Sequence, residues 1–247
     1  MELSLRGRTA IVCGASAGIG LGCAEALAEA GASLVLLARG REALEREAAR
    51  LGATAVGGDV SNPDDLERLV RTAVETHGGV DVLVLNSGGP PRTRALDVGD
   101  EAVRDAVELL LLSSIRLVRL CRPHLERSGH GRVIAITSSS VKEPIDNLAL
   151  SNAIRPGLVG WLKTAARELG PAGVTVNAIA PGRIDTERLK EVYPNGPGEA
   201  DLAAIALRRL GTPREVGDVA CFLASDRGAY VTGATIAVDG GLTRGLT

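Results

Sequence analysis

The chain has 247 residues, 45% hydrophobic and 23% charged, with a formal net charge of −2. That is length enough for a sizeable core in one α/β domain, and the even charge, with no long run of either sign, argues against a nucleic-acid footprint. No apolar run approaches the roughly 18 residues of a membrane span. The start "MELSLRGRTAIV" lacks a cationic segment followed by an apolar stretch, so a cytoplasmic protein without a membrane partner is expected.

In chain order, short β-rich apolar runs alternate with segments of helical period. "RTAIVC" (8–13) precedes a helix near 18–30, "SLVLLA" (33–38) one at 41–51, and "ATAVGG" (53–58) one at 62–77. "DVLVLN" (81–86) precedes a long helix at 99–127, "RVIAIT" (132–137) one at 149–170, and "VTVNAIA" (174–180) one at 213–225, before a last strand "ATIAVD" (234–239). Continuous apolar strands alternating with helices predict a doubly wound, Rossmann-type parallel sheet of seven strands covered on both faces, a single domain over 1–247.

Two segments break the rhythm. Residues 183–211, rich in Pro, Gly and charge, read as an insertion that covers a substrate. Leu109 to Leu112 in succession make the long helix apolar on more than one face; one face suits the sheet, and the other, with "GLVGWLKTAA" (157–166), suits a second subunit. Trp161 reads as core or interface, and Tyr230 as packing. Cys13, Cys23, Cys121 and Cys221 lack C-x-x-C spacing, so four packed, reduced thiols and no metal are expected. His77, His124 and His130 are isolated and read as surface residues.

"IVCGASAGIGLGCAEALAEAG" places Gly14, Gly18 and Gly20 where the first strand turns into a helix. Glycines there allow a tight turn and bring backbone N–H groups to a diphosphate, whose charge meets the helix N-terminus. Ser16 and Ile19 fall inside the same loop. The second strand ends in Ala38 and Arg39 with Arg41 nearby, where an acidic residue would hold a ribose 2′-OH; a guanidinium forks onto phosphate, so NADP is favoured over NAD.

The spacing G-x-x-x-G-x-G resembles that of the short-chain dehydrogenase/reductase family, and the resemblance runs the length of the chain. "GDV" (58–60) looks like the family's adenine contact, through Asp59 and Val60. "NSGG" (86–89) stands where the family has N-N-A-G and brings Asn86 and Gly88. "APGRIDT" (180–186) looks like the element that holds the nicotinamide amide, through Pro181, Gly182 and Thr186. The resemblance implies an oxidoreductase close to 3-oxoacyl-[acyl-carrier-protein] reductases, acting on a small carbonyl or alcohol substrate and assembled as a homotetramer or homodimer.

The reacting residues depart from the pattern. The family's Ser falls at Ser138, with Ser139 and Ser140 as weaker substitutes, its Tyr at Ser151 and its Lys at Arg155. Its Asn falls at Leu110, counting back from Pro123 without a gap. Arg155 can still hold ribose hydroxyls and supply positive charge. Ser151 cannot replace a phenol as acid, and its removal is expected to matter little. Lys142, Glu143 and Asp146, in "SSSVKEPIDN" (138–147), are the substitute acid/base candidates, Lys142 first; Tyr193 in the insertion reads as exposed. A catalytically silent NADP-binding sensor or partner subunit is the rival reading.

Overall fold

A computed structural model describes residues 3–193 and 195–246. The strands are β1 (Thr9–Cys13), β2 (Ser33–Ala38), β3 (Thr54–Gly57), β4 (Val82–Leu85), β5 (Arg132–Ile136), β6 (Thr175–Pro181) and β7 (Thr235–Val238). They form one parallel sheet in the order β3-β2-β1-β4-β5-β6-β7. β1, β4, β5 and β6 are buried along their whole length, as strands covered on both faces must be.

The helices are α1 (Gly18–Glu29), α2 (Arg41–Leu51), α3 (Pro63–His77), α4 (Asp100–Val107), α5 (Ser113–Ser128), α6 (Ala149–Leu169), α7 (Glu187–Val192), α8 (Glu199–Ala203) and α9 (Pro213–Ala224). Leu66, Leu69, Leu117, Leu158 and Leu162 bring α3, α5 and α6 onto one face of the sheet. Leu27, Leu44, Val216 and Leu223 bring α1, α2 and α9 onto the other. α1 and α9 approach closely: a Cβ on Gly217 would lie 2.2 Å from the Gly22 carbonyl oxygen. Local signals set the ends. Asn62 caps α3 with Pro63 behind it, and Thr212 and Glu215 form a capping box on α9 with Pro213 in its first turn.

The long helix expected at 99–127 is interrupted. Residues Glu108–Leu112 form a π-helical turn between α4 and α5. The leucine run is also less of an outward face than expected: Leu110 is buried against Ala106, Leu150 and Ile154, and Leu109 and Leu111 pack beside it. Leu110 therefore serves the contact with α6 inside the chain, while Leu109, Leu111 and Leu112 are half-buried. Trp161 packs on the core, but Tyr230 does not: it is fully exposed. All four cysteines are buried and unpaired. Among the described residues no helix is long and apolar enough to cross a membrane.

Candidate active site

The sheet order reverses between β1 and β4, and a crevice opens there beyond the strand ends, where open α/β sheets bind ligands. β1 runs into Gly14 and Gly18, whose φ values of 62° and 56° suit glycine. A Cβ on Gly20 would stand 2.2 Å from the Gly14 carbonyl oxygen, and one on Gly14 would stand 2.5 Å from Asn86 Nδ2. Asn86 in turn donates to the Cys13 carbonyl at 3.1 Å, locking the end of β4 to the end of β1. Ala17, the residue before α1, caps the helix with no side chain. The first N–H groups of α1 are left for an anion, with Ser16 and Ile19 half-buried beside them.

The loop after β6 completes this mouth. A Cβ on Gly18 would lie 3.4 Å from Thr186 Cγ2, and the close packing of Gly182 on Asp239 seats the turn that Pro181 begins. At the outer end Arg39 Nη1 lies 3.8 Å from Asp59 Oδ2. Asp59 is fixed by the Ser61 N–H donating to Oδ1 at 2.9 Å, and Val60 borders the floor with Cys13, Leu85, Asn86 and Ser114. Gly88 is exposed, with open space where a Cβ would stand. These close approaches and the uncapped helix leave the backbone free to meet a dinucleotide, so the residues present fit one.

The chemical end lies beyond β5. Ser138 opens a short 3₁₀ turn (Ser139–Val141), its Oγ accepting from the Ser140 N–H at 3.1 Å. Ser151 and Arg155 stand one turn apart on α6, 5% and 7% exposed. Arg155 donates through Nε to Ser151 Oγ at 3.2 Å, and through Nη1 to the Ile136 and Thr137 carbonyls at 3.3 and 3.0 Å. Burial pulls its guanidinium down to about 10. Ser151 Oγ is also 3.2 Å from Ser140 Oγ. Lys142 follows half-buried, its backbone N–H on the Ser139 carbonyl. Glu143 Oε1 accepts the backbone N–H groups of Arg244 and Gly245 at 2.6 and 2.8 Å. Asp146 is exposed.

A family model described as enoyl-(acyl carrier protein) reductase matches residues 14–243. The 3-oxoacyl-[acyl-carrier-protein] reductase FabG of Vibrio cholerae is 35% identical, covering 97% of this chain and 99% of its own. Dehydrogenase/reductase SDR family member 4 of Oryctolagus cuniculus is 33% identical, over 96% and 94%. The chain belongs to the short-chain dehydrogenase/reductase family. Among solved structures, YwfH, an NADPH-dependent reductase involved in bacilysin biosynthesis, superposes with a TM-score of 0.92 at 27% identity, over 97% of this chain and 99% of that one. L-sorbose reductase from Gluconobacter frateurii, complexed with NADPH and L-sorbose, gives 0.91 at 29% identity over the whole of both chains.

In this short-chain dehydrogenase/reductase the residues named from sequence for the cofactor end border one mouth, and Ser138, Ser151 and Arg155 are linked through Ser140 beyond the C-terminal end of β5, at the start of α6. Leu110 is sealed against Leu150 and Ile154, neighbours of Ser151 and Arg155 on α6. Tyr193 corrects its expectation: it is half-buried, its hydroxyl donates to Asp201 Oδ1 at 3.0 Å, and Arg183 sits 5.8 Å over its ring. Burial and then that bond push the phenol up, the wrong direction for a proton donor. Sequence reasoning ranked Ser140 behind Ser138, yet Ser140 holds Ser151; the i, i+2 spacing across a tight turn was the available signal. It also missed that Glu143 is engaged by the chain's own tail. A cavity of about 560 Å³ lined by Ile184, Leu207, Glu215 and Val238 includes none of the predicted site residues.

Proposed function

We propose that the chain is an NADP(H)-dependent oxidoreductase that interconverts a carbonyl and an alcohol, on a substrate of the 3-oxoacyl or small ketone type. The observation that carries this reading is the intact mouth around the uncapped start of α1, with Arg39 at its outer end. The reductases named above, one NADPH-dependent and one complexed with NADPH, support the same cofactor and reaction type. When bound, the nicotinamide supplies or accepts the hydride.

The chain's own residues do the rest. Gly14, Ser16, Gly18, Ile19 and Gly20 hold the diphosphate at the helix N-terminus. Arg39 forks onto the 2′-phosphate, Asp59 and Val60 flank the adenine, and Asn86 and Gly88 border the adenosine side. Pro181, Gly182 and Thr186 orient the amide of the nicotinamide ring. Arg155 has no hydrogen bond from Nη2 among the described residues, and that donor serves the nicotinamide ribose. Ser138, half-exposed, orients the substrate oxygen; Lys142 delivers the proton that completes the alcohol. The insertion at 183–211 covers the substrate, and the protein works as a cytoplasmic homotetramer or homodimer.

The second reading, an NADP-binding protein without turnover, is favoured by Ser151 at the phenol's place and Leu110 at the amide's. Steady-state kinetics with NADPH and a panel of 3-oxoacyl thioesters and small ketones, with fluorescence titration of NADPH alongside, decides between them. Lys142→Ala should lower kcat by roughly 10²-fold and leave NADPH affinity intact. Firm NADPH binding with no turnover on the whole panel selects the silent reading.

A further inference from the structure

Two buried hydroxyls and one buried cation stand together beyond the end of β5, and their protons can be counted. Ser140 and Ser151 are 4% and 5% exposed, with Oγ atoms 3.2 Å apart. The Arg155 Nε–H occupies a lone pair of Ser151 Oγ at 3.2 Å. Each hydroxyl carries one proton. One of the two lies on the line between the oxygens, whichever serine donates. The other has no acceptor among the hydrogen bonds of the described residues.

A buried donor without an acceptor is costly to maintain, and such groups mark places where a ligand supplies the missing partner. The surroundings show what kind of partner. Ser140 is tied by its backbone N–H to Ser138 Oγ, so the pair adjoins the short turn of the residue assigned to the substrate oxygen, whichever serine holds the spare proton. Arg155 has no ion-pair partner among the described residues, and its charge polarises the hydroxyl line. The whole unit is an acceptor-seeking donor with a cation behind it.

We propose that Ser140 and Ser151 act as one cation-backed hydroxyl pair that donates its spare O–H to the substrate oxygen. This deepens the reading given above and rests on it for the reaction. During carbonyl reduction the hydride adds to carbon, the C=O π pair moves to oxygen, and the spare O–H hydrogen-bonds to that oxygen as its negative charge grows. The pair keeps its protons; the proton that completes the alcohol comes from Lys142. Of the two serines only Ser151 stands at the phenol's position; it works here without titrating, which replaces the small effect that its sequence alone led us to expect for its removal.

The test combines kinetics with a binding probe that needs no turnover. 2,2,2-Trifluoroethanol is an alcohol that ionises more readily than ordinary alcohols and resists oxidation, so it places a substrate-like oxygen in the site without turnover. Its binding to the NADP⁺-loaded protein is read by ¹⁹F NMR in wild type, Ser140→Ala, Ser151→Ala, the double variant and Ser140→Thr, with NADPH affinity and thermal midpoints checked for each. Loss of one such donor is expected to lower kcat by about 10²–10³-fold with little change in NADPH affinity. Each single alanine variant leaves one hydroxyl that its partner no longer aims, so both should fall, and the double variant, which removes the donor outright, should be at least as poor as the poorer single one. Ser140→Thr, which keeps the hydroxyl, should stay within about tenfold of wild type.

Trifluoroethanol binding should fall in both alanine variants. Turnover that survives within a few-fold in both of them overturns the pair and leaves the oxidoreductase reading standing. Equal loss in Ser140→Thr and Ser140→Ala marks a packing role and also overturns it. A wild type without turnover that holds trifluoroethanol, and loses it in both alanine variants, supports the pair and rejects the oxidoreductase reading. Neither turnover nor a difference in probe binding rejects both.

Discussion

Arg39 and Asp59 face each other across 3.8 Å at the ends of two neighbouring stretches, one after β2 and one after β3. The arginine is mostly exposed and the aspartate is pinned by backbone, so the pair presents a movable cation beside a fixed carboxylate. Two exposed charges at that distance contribute little to stability. The cation is therefore available to a phosphate. Arg39→Asp should weaken NADPH binding by about tenfold to a hundredfold, the range for a hydrogen bond to a charged group, and should reverse the preference for NADPH over NADH. Calorimetry with both cofactors measures this; equal wild-type affinities would refute the assignment.

The glycine mouth predicts opposite outcomes for two substitutions. In Gly20→Ala the new Cβ meets the backbone oxygen of Gly14, which cannot swing aside as a side chain can. The variant should lose at least about 1–3 kcal/mol of stability by overpacking and should not bind NADPH measurably. Gly88→Ala meets open space and should melt with wild type. Any loss it shows in NADPH affinity then reports the cofactor itself. Thermal midpoints with and without NADPH separate the two effects.

Acid should destabilise the protein through Glu215. The Arg209 guanidinium first, and the Thr212 N–H second, push this carboxyl down to about 2. A depressed folded value means the contribution is complete above the ordinary glutamate value of about 4.3 and fades as pH falls through about 2. Glu215→Gln should lower the urea midpoint at neutral pH and flatten its fall between about pH 4.3 and 2. The two proteins should converge in strong acid, and parallel curves across the range would exclude Glu215 as the source.

The thiols should be silent until the fold opens. Burial pushes Cys13 and Cys23 up to about 12 and raises Cys121 and Cys221 as well. At pH 8 almost none is thiolate, the reactive form. Ellman's reagent should label no thiol in the native protein and four in guanidinium; one fast native thiol would show an opening absent from the packing described.

Most of the sheet was legible because each strand is a continuous apolar run and each helix has a cap or a glycine at its end. β2, from Ser33 to Ala38, falls where its sequence places it, and β5 ends one residue early. The break at Glu108–Leu112 was not legible: four leucines give no periodic signal of a turn with one residue too many. That turn also limits counting back from Pro123, since register is lost on crossing it. The conclusion survives because every residue from 109 to 112 is leucine. In the candidate site, motif spacing marked the glycines whose close approaches and positive φ shape the mouth, since glycines write their geometry into sequence. The partnership of Ser140 with Ser151 joins a 3₁₀ turn to a helix and has no sequence period. Tyr230 was misread because its neighbours are apolar while its own side chain points outward.

Glu143 and the tail it grips are separated by about a hundred positions of chain. Closing a loop of that size is entropically unfavourable, and the grip exists only after α6, β6 and β7 have assembled between its two ends. Part of the wall beside the substrate loop is therefore among the last pieces to be laid down. The glycine turn, locked to the end of β4 by Asn86, does not wait for it, although Thr186 joins it only after β6. A growing polypeptide acquires that turn well before it acquires the wall that faces it.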